Sequence, residues 1–282
     1  LARVRSSAPG LPQPFLKWAG SKRAVMEALR PLFPAAGEVG TYVEPFLGGG
    51  SVALFVLQKL RPKRAVLADR NPDLINAFTA VRDDVEALIE LLQAHEARHR
   101  SKYYYAVRAK VPETATERAA RLIYLNKTCY NGLYRLNRRG LFNVPLGRQR
   151  TCLIVDIPAL REVSALLQGV ELVAGSFEQT LVDLGPGDLT YLDPPYDPVS
   201  QTSYFTNYDG QPFRREDQAR LAERAREVAS TGCRVIASNS DTPFVRSLYP
   251  DFAVHELQVL RRISRNADGR TRAGEVVLVS PG

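Results

Sequence analysis

Two rhythms of apolar residues organise the chain. Period-two or wholly apolar runs of four to eight residues predict strands at "TYVEPF" (41–46), "RAVLAD" (64–69), "VELVAG" (170–175), "DLTYLD" (188–193) and "CRVIAS" (233–238). Two more follow at "AVHELQVL" (253–260) and "GEVVLVS" (274–280). Helical spacing falls between them, at "KRAVMEALRPLF" (22–33), at "SVALFVLQKL" (51–60) after a run of glycines, at "IPALREVSALLQ" (157–168) and at "RREDQARLAERAREVAS" (214–230). Strands with helices between them predict a doubly wound, mostly parallel α/β sheet that closes on an antiparallel pair at one edge.

One stretch interrupts this alternation. From Pro72 to Thr128 the pattern is helical throughout, in "NPDLINAFTAV", "DVEALIELLQAHEARH", "YYYAVRAK" and "ERAARLIYLNKTC", with Asp73 and Asp84 near helix starts. A polar loop, "CYNGLYRLNRRGLFNVPLGR", follows. The expected organisation is a lead-in over 1–13, a catalytic sheet domain over 14–73 and 151–282, and an inserted, mainly helical recognition domain over 74–150.

Composition adds ordinary globular character, with 45% apolar and 24% charged residues in 282. No apolar run approaches the ~20 residues of a membrane span, and no secretory pattern opens the chain, so a cytoplasmic, nucleoid-associated protein is expected. Cys129, Cys152 and Cys233 lack metal-binding spacing and are expected in the core. Charge changes the picture more. The net charge is +8, and between Arg118 and Val155 the chain carries eight Lys or Arg and no Asp or Glu. Tyr, Asn and Gly interleaved with those cations suit a nucleic acid better than plain solvation.

Three stretches carry candidate chemistry. In "YVEPFLGGGS", glycines between a strand and a helix allow a ligand close to the backbone, and Asp69 ends the next strand, where an acid receives ribose hydroxyls. Glu44 stands just before this loop, a poor neighbour for a pyrophosphate, so a cationic nucleoside such as S-adenosylmethionine fits better than a dinucleotide. In "LDPPY", Asp193 ends a strand, and Pro194 and Pro195 can neither donate nor continue the ladder. The Asp193 carboxylate and the Pro194 carbonyl then form a fixed acceptor pair for an exocyclic NH₂, and Tyr196 offers a face on which a flipped base stacks. Finally, "HEARH" (95–99) matches the H-E-x-x-H zinc pattern. Arg98 and Arg100 would repel a dication, so it is assigned to a solvated helix face and no metal is expected.

"FLKWAGSK", "VEPFLGGGS", "VLAD", "YNGLYR", "FNVPLGR", "LDPPY" and "TSYFTNY", in this order, resemble the Dam family of DNA adenine N6-methyltransferases, particularly its DpnM-like branch, in the α-group arrangement. The likeness runs from Pro14 to the last strand. It implies S-adenosylmethionine contacts at Trp18, Lys22, Asp69 and Asp193, with Glu44, Pro45, Phe46, Gly48 and Gly50 around the methionine part. It places recognition on Lys17, Tyr130, Asn131, Leu133, Arg135, Asn143, Pro145 and Arg148, in duplex DNA at GATC, with Arg135 reaching a guanine and Tyr130 filling the gap left by an extruded adenine. Ser21 departs from relatives that have a second glycine there. A monomer is expected, with a restriction endonuclease as a conceivable genetic companion. Methylation of RNA bases and an inactive DNA-binding module stay open as alternatives.

Overall fold

The computed structural model describes residues 10–148, 153–198, 213–257 and 274–281. Arg150, Cys152, "TSYFTNY" (202–208) and the link 261–273 between the last two expected strands lie outside the described residues.

Seven strands form one sheet: β1 (Thr41–Glu44), β2 (Arg64–Asp69), β3 (Glu171–Ala174), β4 (Leu189–Leu192), β5 (Arg234–Ser240), β6 (Ala253–Leu257) and β7 (Glu275–Val279). Their order is β3-β2-β1-β4-β5-β7-β6. β1 to β5 run parallel to one another, while β7 runs antiparallel between β5 and β6, so that the sheet closes on an antiparallel pair at one edge as expected. From β1 the chain winds outward to β2 and β3, and from β4 it winds the other way. The strand order thus reverses between β1 and β4, and open sheets bind ligands in such a crevice, at the carboxyl ends of the strands.

Among the described residues, ten α-helices accompany the sheet: α1 (Met26–Leu29), α2 (Ser51–Lys59), α3 (Pro72–Asp83), α4 (Val85–Ala97), α5 (Ser101–Ala109), α6 (Ala115–Thr128), α7 (Ile157–Leu167), α8 (Phe177–Thr180), α9 (Arg215–Ser230) and α10 (Pro243–Leu248). Alternate residues of each strand feed opposite layers. Tyr42, Tyr191, Ile236 and Val277 face a core built with α2, α3, α4, α6 and α7. Val43, Leu192, Val235 and Leu278 face a second core with α8, α9 and α10.

Local chemistry explains where the expectations move. The helical run over 22–33 is broken into a 3₁₀ turn, the single turn α1 and a second 3₁₀ turn, because Pro31 has no N–H to continue it. Helices α8 and α10, too short to show a periodicity, were not predicted. Asn71, rather than Asp73, caps α3, its side chain accepting from the Asp73 and Leu74 amides. Asp84 precedes α4 without capping it and accepts instead from Thr116 Oγ1. Cys129 and Cys233 are buried.

The block from 74 onward begins inside α3, which packs on both β3 and α6, so the helical layer and the sheet share one apolar core. Beyond α6 the polar loop folds back as a hairpin. Cys129 pairs with Leu146 and Leu136 with Phe142, and Asn137 accepts the Arg139 and Leu141 amides at its tip. Asn131 (φ 55°) and Gly132 (φ 65°) turn the chain into it. A Cβ on Gly132 would lie 2.7 Å from Lys17 Cβ. Nearby, buried Asn126 bonds both the amide and the carbonyl of Lys17 and the carbonyl of Gly132. The N-terminal segment and the hairpin are thereby pinned together.

Candidate active site

A cavity of about 510 Å³ opens at the carboxyl edge of the sheet. Its wall brings together Trp18 and Lys22 from the N-terminal segment, Glu44 from the end of β1, Gly48 and Gly50 from the loop before α2, and Asp69 from the end of β2. Asp193, Pro194, Tyr196, Phe213 and Glu275 line it as well. Of the cofactor residues implied by the resemblance, all but Pro45 line this cavity.

The loop after β1 is fixed by protein contacts. Gly48 N donates to Asp69 Oδ2 at 3.0 Å, and Asn71 N donates to Asp69 Oδ1 at 3.0 Å. One carboxylate therefore organises two loops and still borders the cavity. The glycines, which line the cavity, also have a reason within the protein itself. A Cβ on Gly49 would stand 2.9 Å from Trp18 Cβ, and one on Gly50 2.9 Å from Phe78 Cζ. Close approach of Trp18 and Phe78, together with positive φ at Gly48 and Gly50, is what demands glycine here.

Ionisable groups are dense. Lys22, 5% exposed, pairs with Asp193 (Nζ to Oδ1, 2.8 Å) and lies 3.5 Å from Glu275 Oε1. Tyr196 Oη donates to Glu275 Oε1 at 2.5 Å, and Lys22 Nζ sits 4.8 Å over the Tyr196 ring. Tyr42 Oη donates to Glu44 Oε2 at 2.5 Å. Burial raises the Glu44 carboxyl well above the usual range, and burial also raises Asp193, against the pull of Lys22. Glu44 and Asp193 thus hold protons more readily than exposed carboxylates.

Four carboxyl groups, Glu44, Asp69, Asp193 and Glu275, face the cavity, against Lys22 inside and Arg70 on the same wall. That set fits a cationic nucleoside and opposes a pyrophosphate. On the same wall, the buried Asn71 Nδ2 finds no acceptor among the described residues. Glu275 was missed by sequence reading. It carries no motif of its own and reaches the cavity only because β7 is antiparallel, so that its first residue lies at the carboxyl edge.

Asp193 and Pro194 follow the end of β4 and line the cavity together with Glu44. The turn is held from behind by Gln218 Nε2 on the Pro195 carbonyl (2.7 Å) and by Asn239 Oδ1, which accepts the Asp197 amide (3.1 Å).

The recognition residues lie on or beside the hairpin. Tyr130, Asn131, Leu133, Arg135, Pro145 and Arg148 are exposed, and Asn143 is half-buried with its Oδ1 accepting from Arg135 Nε at 2.7 Å. Lys17 comes from the N-terminal segment that Asn126 pins to the hairpin, and its Nζ donates to the Lys127 carbonyl at 3.1 Å.

The "HEARH" face is not the solvated one expected. His95 stacks on Tyr124 (centroids 4.8 Å apart) and bonds Tyr103, His99 bonds the Tyr124 hydroxyl, and Glu96 accepts the Ile154 amide. Among the described residues no group of three His, Cys, Asp or Glu side chains could hold a metal ion, and no helix is long and apolar enough to cross a membrane.

Comparison with known proteins gives this geometry a context. The chain is 36% identical over 278 residues to the type II methyltransferase M1.LlaDCHI of Lactococcus lactis subsp. cremoris, covering 96% of each. It is 37% identical to the type II methyltransferase M.MjaIII of Methanocaldococcus jannaschii, covering 92% of this chain and 95% of that one. With the DNA adenine methylase of Vibrio cholerae the identity is 34%, over 93% and 94%. The family model for D12 class N6 adenine-specific DNA methyltransferases matches residues 18–263. That span holds the glycine loop, the helical block, the hairpin and the DPPY turn, and the chain belongs to the D12 class of N6 adenine-specific DNA methyltransferases.

Proposed function

We propose that the protein transfers a methyl group from S-adenosylmethionine to N6 of an adenine extruded from duplex DNA, within GATC. The observation that carries this reading is the convergence of Glu44, Asp69 and Asp193 on one cavity at the reversal point of the sheet. S-adenosylmethionine, when bound, supplies the electrophilic methyl on a cationic sulfur.

The chain's own residues then have distinct tasks. Asp69 accepts ribose hydroxyls while holding the glycine loop through the Gly48 amide. Trp18, Lys22, Phe46 and the loop from Glu44 to Gly50 surround the rest of the donor. The Asp193 carboxylate and the Pro194 carbonyl accept the two hydrogens of the adenine amine, which localises its lone pair and aims it into the cavity. The neutral amine is a weak base, so alignment and polarisation carry most of the acceleration, and the surplus N6 proton leaves after transfer. Tyr196 packs against the extruded base.

Residues 74–150 act as the target-recognition part. Opposite charges support this division, since anionic phosphates favour the basic hairpin and a cationic donor favours the acidic cavity. Arg135 reads a guanine edge, Tyr130 fills the gap in the stack, Asn131, Leu133, Asn143 and Pro145 contact bases, and Lys17 and Arg148 hold phosphates. GATC is carried over from the family resemblance. Plasmid prepared from cells expressing the protein should resist a GATC-cutting nuclease blocked by adenine methylation. Cutting as in untreated plasmid would remove GATC as the site.

A further inference from the structure

Glu275 stands outside every motif, yet it meets the centre of the cavity. It opens β7 and pairs in register with Ser240, the last residue of β5, which sets it level with the turn that carries Asp193. Its carboxylate takes the Tyr196 hydroxyl and lies 3.5 Å from Lys22 Nζ, which is itself 2.8 Å from Asp193.

This arrangement poses a problem for amine binding. Lys22 occupies one oxygen of the carboxylate that has to receive the substrate. The ammonium is buried, and its remaining described acceptor is the Gly20 carbonyl at 3.0 Å. Leaving a buried cation unpaired is strongly unfavourable. Glu275 removes the difficulty, because a shift of roughly 1 Å or less brings Nζ to ordinary ion-pair distance from it. The Tyr196 hydroxyl keeps Glu275 pointed at this position.

We propose that Glu275 is a positioning residue for methyl transfer: it takes over the Lys22 ammonium when an amine engages Asp193, so that the acceptor is released without stranding a buried charge. The inference rests on the amine-binding reading of Asp193 given above. The other ionisable groups around Asp193 are Tyr42, Glu44, Tyr191 and Tyr196. Of these only Glu44 is a carboxyl group that could compete for the ammonium, and its Oε2 is already taken by the Tyr42 hydroxyl at 2.5 Å.

Glu275→Gln is the informative substitution, since it keeps an oxygen for the Tyr196 hydroxyl and removes the charge. Duplex affinity is measured with adenine or with purine, which lacks the amino group, at the target position, with S-adenosylhomocysteine present. The wild type should prefer adenine, and Glu275→Gln should lose at least about threefold of that preference, with the single-turnover rate falling about tenfold. The acid limb of the rate profile should move to lower pH, because Glu275 no longer repels the Asp193 charge. Glu275→Asp should restore part of each. In a Lys22→Met background, where no ammonium is left to share, Glu275→Gln should change the preference less than about twofold.

An unchanged preference in Glu275→Gln would overturn the proposal. So would a slower rate with an unmoved acid limb and an equal loss in the Lys22→Met background, the pattern of a purely structural role. A wild type without any preference for adenine over purine would overturn the amine-binding reading itself, and this proposal with it.

Discussion

Gln218 donates to the Pro195 carbonyl at 2.7 Å, from a helix on the opposite side of the turn from the cavity. Its other end accepts from Asn239 Nδ2 at 3.0 Å, and Asn239 in turn receives the Asp197 amide. The prolines supply no N–H groups, so this chain of side-chain amides holds the turn. Gln218→Leu should leave two buried groups unsatisfied and destabilise the fold by about 2–4 kcal/mol. The single-turnover methylation rate should fall more than donor affinity does. Thermal melting, calorimetry with S-adenosylmethionine and rapid-quench assays check the three parts.

Glycine demand in the loop before α2 can be separated into backbone and contact terms. Gly50 and Gly37 both have positive φ, but a Cβ on Gly50 would meet Phe78 at 2.9 Å, whereas one on Gly37 would have nothing within 4 Å. Gly37→Ala should cost about 1–2 kcal/mol from backbone strain alone. Gly50→Ala should cost about 1–3 kcal/mol more, from overpacking against Phe78. Denaturant unfolding of both variants measures the difference.

His95 makes acid stability a testable property of the helical block. Burial, aided by the Arg98 charge, pushes its imidazole down to about 4. A group depressed on folding binds its proton more readily in the unfolded chain. Its contribution is therefore complete above about pH 6.5 and is lost as the pH falls towards 4. His95→Gln should flatten the dependence of unfolding free energy on pH in that window by roughly 1–2 kcal/mol. An identical slope in wild type and variant would show that His95 does not titrate there.

Specificity should respond differently to different cations. Arg135 is oriented by Asn143 Oδ1 at 2.7 Å, which leaves its planar guanidinium presented from the hairpin. Arg135→Ala should lose about 1–3 kcal/mol of discrimination at one base pair, measured by competition between singly substituted sites. Arg148→Ala should weaken all duplexes alike and lower the salt dependence of binding. Equal losses at every site for Arg135→Ala would make it a phosphate contact.

Much of this was legible in sequence because it is carried by local rules. The strands after which Glu44, Asp69 and Asp193 stand are short apolar runs, and a doubly wound order places their ends at one edge. The antiparallel pair at the edge was legible, but the place of Glu275 was not, since it depends on how β7 inserts between β5 and β6 and no residue near it signals that register. The same holds for Gln218, which lies in an amphipathic helix as one polar residue among many and gains meaning only by facing the Pro195 carbonyl. The histidines of "HEARH" misled in the other direction. Their polar neighbours suggested a solvated face, but the tyrosines of α5 and α6 that cover them arrive by tertiary packing. For the glycine loop the sequence pointed to close approach at the backbone, while the crowding by the protein's own Trp18 and Phe78 shows only in the packing.

The central claim is that Asp193 polarises an adenine amine for transfer. Its most direct test is mass spectrometry of nucleosides from a duplex containing one GATC, after a single turnover with S-adenosylmethionine. Wild type should yield N6-methyladenine in that site alone, and Asp193→Ala should lower the rate at least about a thousandfold while keeping its melting temperature. Near-normal N6-methyladenine from Asp193→Ala, or methylation on another base by the wild type, would contradict it.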